Sequence, residues 1–141
     1  MVGDAHRTVV GVGVDVVGVD RMAAAMRRTD GLARRILGAD PGGVAQLELA
    51  TAFAVKEAVM KALGQGIGSL GLDEIELGHD RDVRLSGRAA ARAAAVGATT
   101  WEVDVRQVDG PAGPVVVAEA VAFGRAVGGQ AAGGPGAEDE P

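Results

Sequence analysis

The chain has 141 residues and a formal net charge of −5, with no cysteine and only three aromatic residues, Phe53, Trp101 and Phe123. The missing cysteines exclude disulfides and thiolate chemistry, while the acidic balance and the scarcity of aromatics argue against nucleic-acid binding by base stacking. No apolar run approaches the roughly 20 residues of a membrane span and no signal-peptide pattern opens the chain, so a cytoplasmic protein without a membrane partner is expected.

Residues 1–8 carry no pattern and read as a loose lead-in. Val9 to Val17 reads as a strand, with Val10, Val12, Val14 and Val16 on one face and Gly11, Gly13 and Asp15 on the other. Two glycines weaken a strand unless something approaches closely, and here they clear the space beside Asp15. A crowded strand with a turn-facing Asp is the plain alternative. Asp20 is a candidate N-cap for a helix from Arg21 to about Thr29, and Asp30 to Leu37 continues the helical pattern. Between Asp20 and Arg35 stand five arginines against two aspartates, locally +3 in an acidic chain. This is a candidate docking surface for an acidic partner, weighed against a solvated helix face.

Gly38 to Gly43 is a breaker, after which a long helix begins near Val44 and runs through Phe53-Ala-Val-Lys-Glu-Ala-Val-Met-Lys-Ala-Leu63 to a stop at Gly64. At about 100° per residue, Phe53, Val55, Val59, Met60 and Leu63 form one broad stripe and Ala54, Ala58 and Ala62 fill most of the rest. A helix so apolar all round is expected at the centre of the fold. Its charged residues from Leu49 on, Lys56, Glu57 and Lys61, then need partners or a polar ligand. The plain reading of Glu57 and Lys61 is an i,i+4 ion pair worth about 0.2–0.5 kcal/mol on a solvated face. The glycine turn from Gly64 to Gly68 is a weak phosphate-binding signal, because a helix C-cap explains Gly64 without any ligand.

Asp73–Gly78 and Asp82–Ser86 read as two short strands around a polar turn. Arg88–Val96 reads as an alanine-rich helix, and Trp101–Val108 and Pro114–Phe123 as two valine-rich strands. The Gly, Ala, Pro and acidic residues of 124–141 give the composition of a disordered tail. His6, in the lead-in, and His79, in a turn, are not catalytic candidates. The order of elements implies an α+β domain over residues 9–123, an antiparallel sheet packed around the long central helix.

Asp15 and Glu57 are acids in apolar or glycine-rich surroundings. If the helix packs on the glycine face of the first strand, the two carboxylates can meet. Two carboxylates with few other ligands suit a Mg²⁺ completed by water and phosphate oxygens. Lys61 could neutralise the same phosphates, which points to phosphoryl-type chemistry on a diphosphate. A purely structural ion pair is the competing reading.

Gly-Val-Asp-Val-Val at 13–17 followed by Arg21, Phe53-Ala-Val-Lys-Glu-Ala58, Lys61-Ala and Gly64-Gln-Gly-Ile67 together resemble the holo-[acyl-carrier-protein] synthase group of the phosphopantetheinyl transferases. The resemblance covers about Val9 to Phe123. It implies transfer of 4′-phosphopantetheine from coenzyme A to a serine of an apo acyl carrier protein, in fatty acid or polyketide synthesis. It implies Mg²⁺ on Asp15 and Glu57, with Glu57 or a metal-bound water taking the serine proton, and Lys61 stabilising the diphosphate or protonating the leaving phosphate. It implies Lys56, Lys61, Gly64 and Gly66 as coenzyme A contacts, Arg21, Arg27 and Arg28 as the carrier-protein surface, and a homotrimer with active sites between subunits. This chain departs from the group's pattern with Ala52 for Arg, Gly18 for an acid, and Glu102 and Gln107 where histidines are common. Those departures keep open a second reading, a catalytically weakened homologue that binds carrier protein without modifying it.

Overall fold

The computed structural model describes residues 7–66 and 68–124. The expected tail beyond Gly124, and most of the lead-in with His6, lie outside them. In chain order the elements are β1 (Thr8–Gly18), α1 (Val19–Arg28), α2 (Leu32–Leu37), α3 (Gln46–Ala62), a 3-10 turn (Leu72–Glu74), β2 (Ile75–Leu77), β3 (Val83–Leu85), α4 (Gly87–Val96), β4 (Ala98–Gly110) and β5 (Gly113–Gly124). The α+β class stands. The strands divide into an antiparallel three-stranded sheet in the order β1-β5-β4 and a separate β2-β3 hairpin.

α3 is the centre, buried on nearly every side by the sheet, α1, α2 and the 3-10 turn. Val55, Val59, Met60 and Leu63 are almost wholly enclosed together with Ile36, Ile75 and Val116. Each such side chain contributes about 1.5–3 kcal/mol relative to an exposed one. Phe53, expected on the same stripe, is only half-buried and stands at the edge of a cleft instead. Asp20 is not the N-cap of α1. β1 runs directly into the helix, Gly18 holds the extended cap conformation, and Asp20 falls in the first turn, where its charge favours the positive end of the helix dipole.

The sheet is mounted with its small residues inward. Gly11 and Gly13 of β1, and Ala118, Ala120 and Ala122 of β5, face α3. Val12, Val14 and Val16 point away from it and are 59%, 45% and 61% exposed. A strand normally buries its larger face, but here the approach of α3 leaves room only for glycine on that side of β1.

Glu74 ties the hairpin region to α4. Its carboxylate accepts from the Gly71 N–H at 2.8 Å, the Arg88 N–H at 3.1 Å and the Arg88 Nε at 3.3 Å. It thereby does the capping that Ser86 does not. The Gly71 N–H, and then the Arg88 N–H, hold its carboxyl below the usual glutamate value. A carboxyl lowered in the folded state stabilises above its unfolded range and loses that contribution as pH falls through the folded value. Glu74→Gln is therefore expected to be less stable than the parent near neutral pH, with the difference shrinking in acid. Urea melts of both proteins across that pH range check this.

Candidate active site

The site forms where α3 lies on the glycine face of β1. A Cβ on Gly13 would run into the Ala58 carbonyl oxygen, and one on Gly11 into that of Ala62. The absence of both lets the helix backbone settle onto the strand, and Asp15, two residues further along the same face, arrives at the last turns of α3. Glu57 and Lys61 leave α3 one turn apart on that side.

Lys61 does not pair with Glu57. Its ammonium donates to Asp15 Oδ1 at 2.8 Å and to the Val14 carbonyl at 3.0 Å. Asp15 lies largely enclosed while Lys61 stays partly open to solvent. Glu57 is only 4% exposed and accepts no hydrogen bond among the described residues. Burial pushes its carboxyl above the ordinary range, the Asp15 carboxylate pushes it further, and Lys61 pulls it partly back. No carboxylate oxygen of Glu57 is sealed from solvent without a partner, so the group is open to a cation or to water while burial of its surroundings disfavours its charge.

This donor set fits a hard divalent cation: two carboxylates, one of them taking no hydrogen bond from a described residue, with net negative charge. No third Asp, Glu, His or Cys completes a cluster among the described residues. Water and substrate oxygens would have to fill the other positions, as Mg²⁺ prefers.

Lys56, one residue before Glu57, leaves α3 about 100° away around its axis. It is buried on the other side, donating to the Leu72 carbonyl at 3.0 Å. It lines a cavity of about 520 Å³ between α2, α3 and β2 with Asp73 and Glu76. Burial lowers its pKa, against the pull of Asp73 and Glu76. It is not brought to Asp15, Glu57 and Lys61, and what it visibly does is anchor α3 to the 3-10 turn.

The glycine turn also differs from its expected role. Gly64 is left-handed, φ +71°, its N–H donates to the Lys61 carbonyl at 2.9 Å, and the Gln65 N–H donates to Met60 at 3.0 Å. This is the paired Schellman closure of a helix end. The Gly64 N–H is thus engaged and not available to a phosphate, whereas the Gly66 N–H has no acceptor among the described residues. The last carbonyl, Leu63, receives Nε of Arg92 from α4 at 2.8 Å. Nothing local in the sequence singles out Arg92, since it lies in an alanine-rich helix 29 residues from its partner.

From Asp15 a cleft of about 270 Å³ runs to α1, lined by Arg21, Met22, Ala25 and Phe53. A smaller apolar pocket of about 200 Å³ follows, between Met22, Met26, Leu49 and Arg27. Arg21, Arg27 and Arg28 are all exposed, the last two in the final turn of α1. The acidic pair therefore opens onto a surface with an apolar floor and a basic rim. Glu102, on β4, pairs with Arg7 at 2.9 Å, Asp104 with Arg106 at 3.3 Å, and Gln107 is exposed. His79 lies exposed in the turn between β2 and β3. No helix among the described residues is long and apolar enough to cross a membrane.

Comparison with known proteins shows the family. Residues 11–117 match the family model of the 4′-phosphopantetheinyl transferase superfamily, ACPS. The holo-[acyl-carrier-protein] synthase of Frankia casuarinae is 46% identical over 115 residues, and that of Streptomyces coelicolor 41% over 123. Each alignment spans 79% of this chain and 98% of the relative. Among solved structures, the holo-[acyl-carrier-protein] synthase of Neisseria meningitidis superposes with a TM-score of 0.66 at 26% identity, covering 82% of this chain and 98% of that one. The matched span contains most of β1 with Asp15, all of α3 with Glu57 and Lys61, and the start of β5, so the chain belongs to the 4′-phosphopantetheinyl transferase superfamily, in its holo-[acyl-carrier-protein] synthase group.

Proposed function

We propose that this enzyme transfers 4′-phosphopantetheine from coenzyme A to a serine of an apo acyl carrier protein, with Mg²⁺ held by Asp15 and Glu57. The observation that carries this reading is Glu57, enclosed beside Asp15 with no hydrogen-bond donor of its own. In the reaction a bond forms between the serine oxygen and the phosphorus bearing pantetheine, and the bond from that phosphorus to the adenosine 3′,5′-bisphosphate oxygen breaks. The cation, when bound, withdraws charge from the diphosphate. Glu57, placed beside the reacting diphosphate, accepts the serine proton. Lys61 stabilises the charge that develops on the departing bisphosphate. Met22 and Phe53 receive the carrier protein, and Arg21, Arg27 and Arg28 meet its acidic surface.

The test is intact-mass spectrometry of an apo acyl carrier protein incubated with the enzyme, coenzyme A and Mg²⁺, with and without EDTA. A mass gain of one phosphopantetheine, about 340 Da from the formula of the group, that EDTA abolishes supports metal-dependent transfer. No gain, with carrier binding intact by titration, favours the non-modifying binder and the replaced histidine positions at Glu102 and Gln107. Arg21→Glu with Arg28→Glu is expected to raise the KM for carrier protein about tenfold or more at low salt, with the gap closing as salt rises. Stopped-flow carrier binding at two ionic strengths checks that contrast.

The assembly belongs to the same proposal. Val12, Val14 and Val16 on β1, with Val117 and Val121 on β5 either side of Glu119, form a largely apolar sheet face that no described helix covers. Patches of this kind mark association surfaces. We place a homotrimer contact on this face, next to the strand that carries Asp15. Val14→Arg is expected to give a monomer by sedimentation, with transfer falling along with assembly.

A further inference from the structure

The end of α3 is a difficult place for an anionic substrate. A helix C-terminus carries about half an elementary negative charge. Its two nearest backbone donors, the N–H groups of Gly64 and Gln65, are engaged with helix carbonyls. Lys61 is held on Asp15 and Val14. A diphosphate drawn to this end needs further positive charge, and the chain has one more cation there.

Arg92 reaches the turn from α4, whose inner face is set by the buried Ala89 and Ala93. Its Nε holds the Leu63 carbonyl at 2.8 Å, and Nη2 comes within 3.3 Å of where a Cβ of Gly64 would stand. Gly64 follows Lys61 by three residues, in the turn that closes α3. A guanidinium has five N–H donors. The Leu63 contact uses one, and the other four meet no acceptor among the described residues. The pose is that of an arginine fixed by one donor and presenting the rest, the geometry that suits phosphate oxygens.

We propose that Arg92 is a diphosphate-binding residue of this site. Through Nε it offsets the carbonyl end of α3, and through its remaining N–H groups it takes phosphate oxygens of coenzyme A beside Lys61, in place of the backbone donors engaged in the helix cap. This rests on the proposed function, because it needs a diphosphate substrate at the end of α3.

The experiment is calorimetric titration of the full-length enzyme with coenzyme A in the presence of Mg²⁺, for the parent, Arg92→Gln and Arg92→Lys, alongside their Tm values and transfer kinetics. Gln still donates to Leu63 but carries no charge. Lys keeps the charge and loses the planar fork. Arg92→Gln is expected to weaken coenzyme A binding about tenfold or more, as for loss of a charge-assisted bond. Its KM for coenzyme A should rise, kcat should change little, and the salt dependence of binding should become shallower. Arg92→Lys should fall between Gln and the parent. Parental coenzyme A affinity in Arg92→Gln overturns the proposal. So does a lowered affinity in both variants that tracks lowered Tm with no advantage for Lys, since Arg92 would then be a structural cap alone. If the parent itself fails to bind coenzyme A, the proposed function falls first and takes this inference with it. If the parent binds and Arg92→Gln binds equally, only the role of Arg92 falls.

Discussion

Glu57→Gln is expected to lower transfer by about a thousandfold or more, while the metal-free protein becomes more stable. The catalytic loss follows from removing both a cation ligand and the proton acceptor in one isosteric change, each contributing at least a factor of about 10². The gain in stability follows from the same carboxylate. Glu57 is buried and meets no donor among the described residues, and the Asp15 charge opposes its ionisation further. A carboxyl raised in the folded state holds its proton more tightly there than in the unfolded chain, so it costs stability as pH rises through its unfolded range. A neutral amide of the same shape removes that cost, so the Tm of the metal-free variant should rise above the parent's. Mg²⁺ should raise the Tm of the parent but not of Glu57→Gln, and carrier binding should be unchanged in both. Thermal melts with Mg²⁺ or EDTA, together with the mass assay, read all of these. Undiminished turnover in Glu57→Gln, or an equal response of both proteins to Mg²⁺, would remove Glu57 from the metal site.

Gly13→Ala is expected to destabilise the fold by about 3–5 kcal/mol, a large share of the 5–15 kcal/mol typical of a domain. The added methyl would overlap the Ala58 carbonyl oxygen and stand 2.6 Å from the Ala62 backbone nitrogen. Both obstacles are backbone atoms of a helix packed on all sides, so no side-chain rotation relieves them. α3 would have to lift from β1, which would also separate Asp15 from Glu57. The variant should therefore express poorly or unfold at much lower urea concentration, and any soluble fraction should lose Mg²⁺ stabilisation. Val14→Ala, on the opposite face of the same strand, serves as the control. It should retain most of the monomer's stability because Val14 is 45% exposed and no backbone stands against it as α3 does against Gly13.

The two predictions probe the features most legible in the sequence. The alternation of Gly11, Gly13 and Asp15 marks one face of a strand as open to close approach, and the spacing of Glu57 and Lys61 puts both on one side of a helix that stops at Gly64. Those are local periodicities, set by the two-residue repeat of a strand and the 3.6-residue turn of a helix, and they fold as the residues imply. The family motifs sit on these same elements, β1 and α3.

What periodicity does not contain is the partner of each face. Lys56 belongs to the same motif as Glu57, yet one step around the helix sends it to the Leu72 carbonyl. The Glu57–Lys61 spacing invites an i,i+4 pair, yet Lys61 reaches Asp15 on a strand 46 residues away. The Gly64 turn suggests a phosphate cradle, yet its first N–H groups close the helix. Arg92 has no local signal at all and becomes meaningful only because the packing of α4 brings its side chain to the Leu63 carbonyl at the end of α3. Local patterns in the chain are enough for the elements, the central helix, the face on which Asp15 stands and the family. Only the tertiary structure decided which charges meet, which donors are already engaged and which face of β1 is left bare, because hydrogen-bond valence and close packing are settled between elements distant in the chain.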